Sequence, residues 1–88
     1  MLPQMKNKMI IVGENIKLAR LRRKLTVSQV SERADIAPMR LIEIERGYTN
    51  IPIGLYLSVL RVLNLEKDIY NIASDDPLGR KLQDIELL

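Results

Sequence analysis

An all-α domain, a compact bundle of five to six short helices, is the fold class this sequence predicts, and three observations carry it. Apolar residues recur at helical spacing in several short segments. Alternation of β-branched residues never fills a strand-length segment, showing only weakly at Met9-Ile-Ile-Val12. Prolines, glycines and capping residues punctuate the chain at intervals suited to short helices.

The first helix is expected from Gly13 to Lys24, where Ile16, Ala19 and Arg20 share a face with Arg23, leaving Lys17, Arg22 and Lys24 outward. Residues 1–12 read as an N-terminal extension, either disordered or adding a short strand through Met9 to Val12. Thr26-Val-Ser-Gln29 has capping-box spacing, so a second helix is expected from Val27 to Arg33 or Ala34. Asp35 and Ala37-Pro38 interrupt it, and Pro38 suits the first position of a third helix running to Arg46. That helix turns Leu41 and Ile44 inward and Met39, Arg40 and Glu43 outward, and Gly47 suits its left-handed cap.

Pro52 opens an apolar fourth helix to about Leu63, and Leu65 to Ala73 gives a fifth. Asp75-Asp76-Pro77 joins an acidic cap to a first-turn proline, so a sixth helix is expected from Pro77 to about Glu86. The resulting division is an extension over 1–12, a helical domain over 13–74 and a C-terminal helix over 75–88.

Composition narrows the function. At 88 residues, the chain is sized for one small domain, and with no His and no Cys it lacks the usual general base, the thiolate nucleophile and the common transition-metal ligands. No nucleophile paired with a base and no phosphate-cradling glycine loop is present, so neither an enzyme nor a metal or other cofactor site is expected. The uncharged stretch from Thr49 to Leu60 carries Pro52 and Gly54 and falls short of the ~20 residues a membrane helix needs. The run Met9 to Val12 is too short for a signal peptide's apolar region, and the expected location is the cytoplasm.

Charge is unevenly spread: residues 1–47 hold ten Lys or Arg against five acids, and residues 48–88 hold four against six. The basic half is the candidate for phosphate contact. A solvated helix face is the alternative reading of Lys17, Arg22, Arg23 and Lys24. Two short helices joined by a tight turn, the second with a polar outer face, form a unit able to enter a DNA major groove.

The run Gly13-Glu-Asn-Ile-Lys-Leu-Ala-Arg20, then Leu25-Thr26, Gln29-Val30, Arg33-Ala34 and Ile44-Glu45-Arg46-Gly47 resembles the Xre/Cro-like helix-turn-helix regulators over residues 13–65. The resemblance implies a lambda-repressor-like DNA-binding domain. It implies that Arg20 pairs with Glu45 near the end of the recognition helix, a structural pair that fixes the angle between helices. It sets Ser28 and Gln29 where family members touch the phosphate backbone, and Pro38, Met39, Arg40 and Glu43 at base-facing positions. Arg40 suits guanine, because a guanidinium reaches O6 and N7 together; contact with phosphate or a surface pair with Glu43 are the alternatives. Met39 suits a thymine methyl or core packing, and Glu43 suits cytosine N4 or a hold on Arg40. The sequence departs from the family at Lys24 and Asp35, where glycine is common, and at Ser31, where alanine is usual.

The second half, Ile53-Gly54-Leu-Tyr56 through Leu65 and then Ala73-Ser-Asp75-Asp-Pro77-Leu-Gly79-Arg80, is similar to HipB-type antitoxins. That similarity implies a homodimeric autorepressor, acting on a pseudo-palindromic double-stranded DNA operator, whose partner is a HipA-like Ser/Thr kinase toxin. Independently, Leu55, Val59, Val62, Ile69, Ile72, Leu82, Ile85, Leu87 and Leu88 exceed what one small core accommodates, so an interface is expected, with folding back of the sixth helix as the alternative. Two other functions fit the same residues: a stand-alone Xre-type, phage-like regulator without a toxin, and a protein-binding module that has lost DNA binding.

Overall fold

The computed structural model describes residues 1–87, and over them the chain forms six helices and no strand. These are α1 (Pro3–Arg22), α2 (Val27–Ala34), α3 (Pro38–Glu45), α4 (Ile53–Val62), α5 (Lys67–Tyr70) and α6 (Pro77–Leu87). Leu88 lies outside the described residues, as does the side chain of Leu87.

The largest departure from expectation is at the start. Residues expected as a disordered extension or a strand through Met9–Val12 are helical, and α1 passes unbroken through Gly13. Pro3 sits in the first turn, where its missing N–H is no loss, and nothing between it and Gly13 breaks a helix. Met9 packs against the core from this segment. Gly13 is a site of close approach: a Cβ there would stand 2.5 Å from the Ile44 carbonyl oxygen and 2.7 Å from that of Glu45.

Four helices end in the same way, with a left-handed residue and a pair of backbone hydrogen bonds that satisfy the last carbonyls. After α3 the residue is Gly47 at φ +82°, with Gly47 N–H donating to Ile44 O and Tyr48 N–H to Glu43 O. After α1, α2 and α4 it is Lys24, Asp35 and Asn64, at φ +55°, +57° and +62°. The non-glycine residues therefore adopt the turn geometry that glycine serves in the family, at some backbone cost. Ser31, in place of alanine, is buried, and its hydroxyl donates to the Ser28 carbonyl at 3.2 Å.

Ile16 and Ala19 of α1, Val30 and Ala34 of α2, Leu41 and Ile44 of α3, Tyr56, Val59 and Leu60 of α4, and Leu63 form the core. Burial pushes the Tyr56 phenol above its ordinary pKa of 10.0. Of the surplus apolar residues, Val59 is buried and Leu55, Val62 and Ile69 pack against the core, whereas Ile72, Leu82 and Ile85 are exposed. The fifth helix is shorter than the expected Leu65–Ala73, because Ala73 takes φ +60° and turns the chain.

The helix α6 begins as expected, with Gly79 N–H donating to Asp76 Oδ1 at 2.9 Å. It does not fold back: Leu78, Leu82 and Ile85, spaced along one face, are each more than half exposed. The molecule is elongated, measuring 54 × 29 × 21 Å. The radius of gyration is 16.0 Å, against about 12 Å for a compact chain of this length. No helix among the described residues is long and apolar enough to cross a membrane.

Candidate nucleic-acid interface

Local signals build the α2–α3 unit. Thr26 Oγ1 accepts from Gln29 N–H at 3.0 Å while Gln29 Oε1 accepts from Thr26 N–H at 2.9 Å, so both halves of the capping box form. Only Asp35, Ile36 and Ala37 separate the helices. Val30, Ala34, Leu41 and Ile44, all buried, turn the inner faces of α2 and α3 into the core and leave their outer faces to solvent.

Arg20 and Glu45 hold α1 against the end of α3. The guanidinium donates twice to the carboxylate, from Nε at 2.7 Å and from Nη2 at 2.8 Å, and a third time, from Nη1, to the Leu25 carbonyl at 3.0 Å. The two side chains are 9% and 7% exposed. Hydrogen bonding to Glu45 raises the Arg20 pKa above its ordinary value, and the carboxylate's charge adds to this against the opposing pull of burial. Such a fork fixes one approach of two helices, since no single rotation preserves all three bonds.

The residues expected at DNA-contacting positions lie on the solvent side. Ser28 and Gln29 are exposed at the start of α2. The Gln29 oxygen is committed to the capping box, which leaves its amide N–H groups to face outward. On α3, Pro38, Met39 and Arg40 are exposed and Glu43 half-buried; Met39, at 60% exposure, does not pack in the core. Arg40 Nη1 donates to Glu43 Oε1 at 3.2 Å in a surface pair, with the Arg40 side chain 48% exposed. Their surroundings allow the guanidinium to turn outward, and its planar fork matches the two acceptors of guanine in the major groove.

Sequence reasoning passed over Arg46 and Leu25. Arg46 is exposed one turn beyond Glu43 and extends the outer ridge of α3, a placement readable from its i+3 spacing. The Leu25 carbonyl completes the Arg20 site through a turn that no side-chain pattern announces.

Two helices at a tight turn, with a buried Arg–Glu fork behind them and an exposed polar ridge in front, define a helix-turn-helix domain. The helix-turn-helix family profile (HTH_3) matches residues 16–70, from the middle of α1 to the end of α5. The chain belongs to this family, in its Xre/Cro-like form, and its domain is that of a DNA-binding regulator. No curated protein and no solved structure matches the chain.

Proposed function

We propose that the protein is a sequence-specific transcriptional repressor that acts as a homodimer in the cytoplasm, with α3 as its recognition helix. The outer face of α3 carries this reading: Pro38, Met39 and Arg40 stand exposed on a helix whose inner face is fully committed to the core. Ser28 and Gln29 contact the phosphate backbone, and Arg40 and its neighbours Met39 and Glu43 meet base edges. Dimerisation is supported by the uncovered stripe Leu78, Leu82 and Ile85 on α6, too apolar to remain in water in a working regulator. A two-fold pair sets the recognition helices about 34 Å apart, one turn of DNA.

The second-half similarity to HipB-type antitoxins supports a further assignment: the repressor is the antitoxin of a HipA-like Ser/Thr kinase and silences their shared operon. Fluorescence anisotropy on DNA from the protein's own upstream region, titrated over salt against a scrambled duplex, tests the repressor reading. Tight, salt-sensitive preference for the native duplex is the expected result. Equal weak binding to both duplexes points instead to a module kept for a protein partner. Co-expression with the kinase encoded beside it tests the antitoxin reading: a stable complex is expected, and its absence leaves a stand-alone regulator.

A further inference from the structure

The first turns of α1 fall outside the matched helix-turn-helix region, yet they are built against the recognition helix. Gly47 marks the contact: a Cβ on it would lie 2.6 Å from the Ile10 Cα, so α1 rests directly on the backbone that closes α3. One turn before Ile10, Lys6 overhangs the α3–α4 loop. There Lys6, Arg46, Tyr48, Thr49 and Asn50 line one open hollow with no acidic residue among its walls.

The chemistry of these walls is one-sided. Among the described residues, the side chains of Lys6, Arg46, Thr49 and Asn50 have no hydrogen-bond or ion-pair partner. Two cations, a hydroxyl and an amide thus face the same open space. Arg46 also lines a second hollow with Val27, the first residue of α2. It therefore stands between the start of α2, which carries Ser28 and Gln29, and the overhanging Lys6.

We propose that Lys6, which the first turns of α1 bring over Arg46, Thr49 and Asn50, adds a backbone-phosphate contact that extends the DNA-contacting surface from the end of α3 to α1. The ligand is the phosphodiester of duplex DNA. An ammonium and a guanidinium flanking two neutral donors suit a phosphate oxygen pair. The role of the α1 extension is then to carry Lys6 to the DNA, adding affinity without sequence preference. This inference rests on the DNA-binding reading above and assigns it residues that reading does not use.

The test is anisotropy with the full chain on native and scrambled duplexes between 50 and 200 mM salt, comparing the wild type with Lys6→Gln, Arg46→Gln and the double variant. Both side chains are exposed, and thermal melts followed by circular dichroism check that the fold is retained. Each substitution is expected to weaken binding to both duplexes by the same factor and to lower the slope of log K against log salt by about 0.9. Over that fourfold salt range, one lost contact narrows the gap to wild type roughly threefold. Lys81→Gln, which removes the same charge from exposed α6, is the control and is expected to leave the slope unchanged. A Lys6→Gln variant with the wild-type slope, or a Lys81→Gln slope lowered as much as that of Lys6→Gln, overturns this inference alone. Failure of the wild type to bind either duplex at 50 mM salt overturns it together with the DNA-binding reading.

Discussion

The molecule contains two arginine–glutamate pairs that differ in almost everything but chemistry. Arg20 and Glu45 join α1 to α3 across 25 residues of chain, nearly dry, with three hydrogen bonds to the guanidinium. Arg40 and Glu43 lie one turn apart on the outer face of α3, open to water at the arginine and half-buried at the glutamate, with a single contact at 3.2 Å. The first pair is held by everything around it and has no freedom to meet a ligand. The second is held by little and can be exchanged for a ligand at small cost. Burial, rather than residue type, thus divides the helix-turn-helix into a part that keeps its shape and a part left free to meet a ligand.

The largest effect expected follows from breaking the buried pair. Arg20→Ala strands the Glu45 carboxylate and leaves the Leu25 carbonyl short of a donor, which should cost about 3–5 kcal/mol. Most of the stability of so small a domain would go, and urea unfolding would show a midpoint near zero or a chain already unfolded. Replacing both partners with apolar residues of similar volume, Arg20→Met with Glu45→Leu, should recover most of that loss, because no charge then remains without a partner. If the double replacement is as unstable as Arg20→Ala alone, the pair sets the helix angle by geometry and not merely by charge balance.

Arg40→Ala makes the opposite prediction. Stability should change by no more than ~0.5 kcal/mol, since Arg40 is exposed and its one bond, to a Glu43 that still reaches water, is a surface pair. Discrimination between the native operator and a duplex altered at the contacted base should fall by about 1–3 kcal/mol. Paired melts and anisotropy titrations separate the two effects. An Arg40→Ala protein that loses affinity equally for every duplex assigns Arg40 to phosphate instead of base.

A smaller effect probes the turn that delivers the third bond to Arg20. Lys24 at φ +55° holds Leu25 in place, and a non-glycine residue in this region costs about 1–2 kcal/mol. Lys24→Gly removes that cost but adds freedom to the unfolded chain, so a net gain of about 0.5–1 kcal/mol is expected. The melting temperature should rise by a few degrees. A fall would mean that the lysine stem contributes packing that outweighs backbone strain.

Much of this division was legible in residue order, and the exceptions have identifiable causes. The capping box at Thr26 and Gln29, Pro38 at the head of α3 and Gly47 at its end act through neighbours a few residues away, and the helices they bound appear where those signals fall. The first turns of α1 were illegible because their helicity depends on lying against Ile44, Glu45 and Gly47, distant in sequence, and because Ile10-Ile11-Val12 favours a strand locally. Lys24 and Ala73 hid their turns, since neither is the glycine that usually announces a left-handed residue. At the interface, the identity of the outward residues of α3 followed from periodicity. Which of the alternatives open to Arg40 it takes in the free protein, the surface pair with Glu43, required the positions of atoms.

Alkaline titration separates the buried side of the comparison by group. Arg20, whose hydrogen bond to Glu45 raises it further above the ordinary guanidinium range, stays charged in any solution that leaves the protein intact, so its pair does not limit the alkaline range. Tyr56 does: its folded pKa lies above the ordinary 10.0, so the stability tied to the neutral phenol is complete below pH 10 and declines as pH rises through the folded value. Stability curves for Tyr56→Phe should be flatter above pH 10 than those of the wild type. Equal slopes would place the alkaline loss elsewhere.

The smallest expected effect is the coupling within the exposed pair, and it is the most direct check on the contrast. A double-mutant cycle with Arg40→Ala and Glu43→Ala should give about 0.3–0.5 kcal/mol in dilute buffer, the range for helix pairs one turn apart, and less in 1 M salt. The same cycle on Arg20 and Glu45, measured on a background stabilised by Lys24→Gly, should give several times that value and keep most of it in salt, because ions do not enter the seam between α1 and α3. A coupling at Arg40–Glu43 as large and as salt-resistant as the buried one would mean that α3 presents a locked surface. In that case Glu43 would hold Arg40 away from DNA in the absence of an operator, and binding would have to begin by breaking that pair.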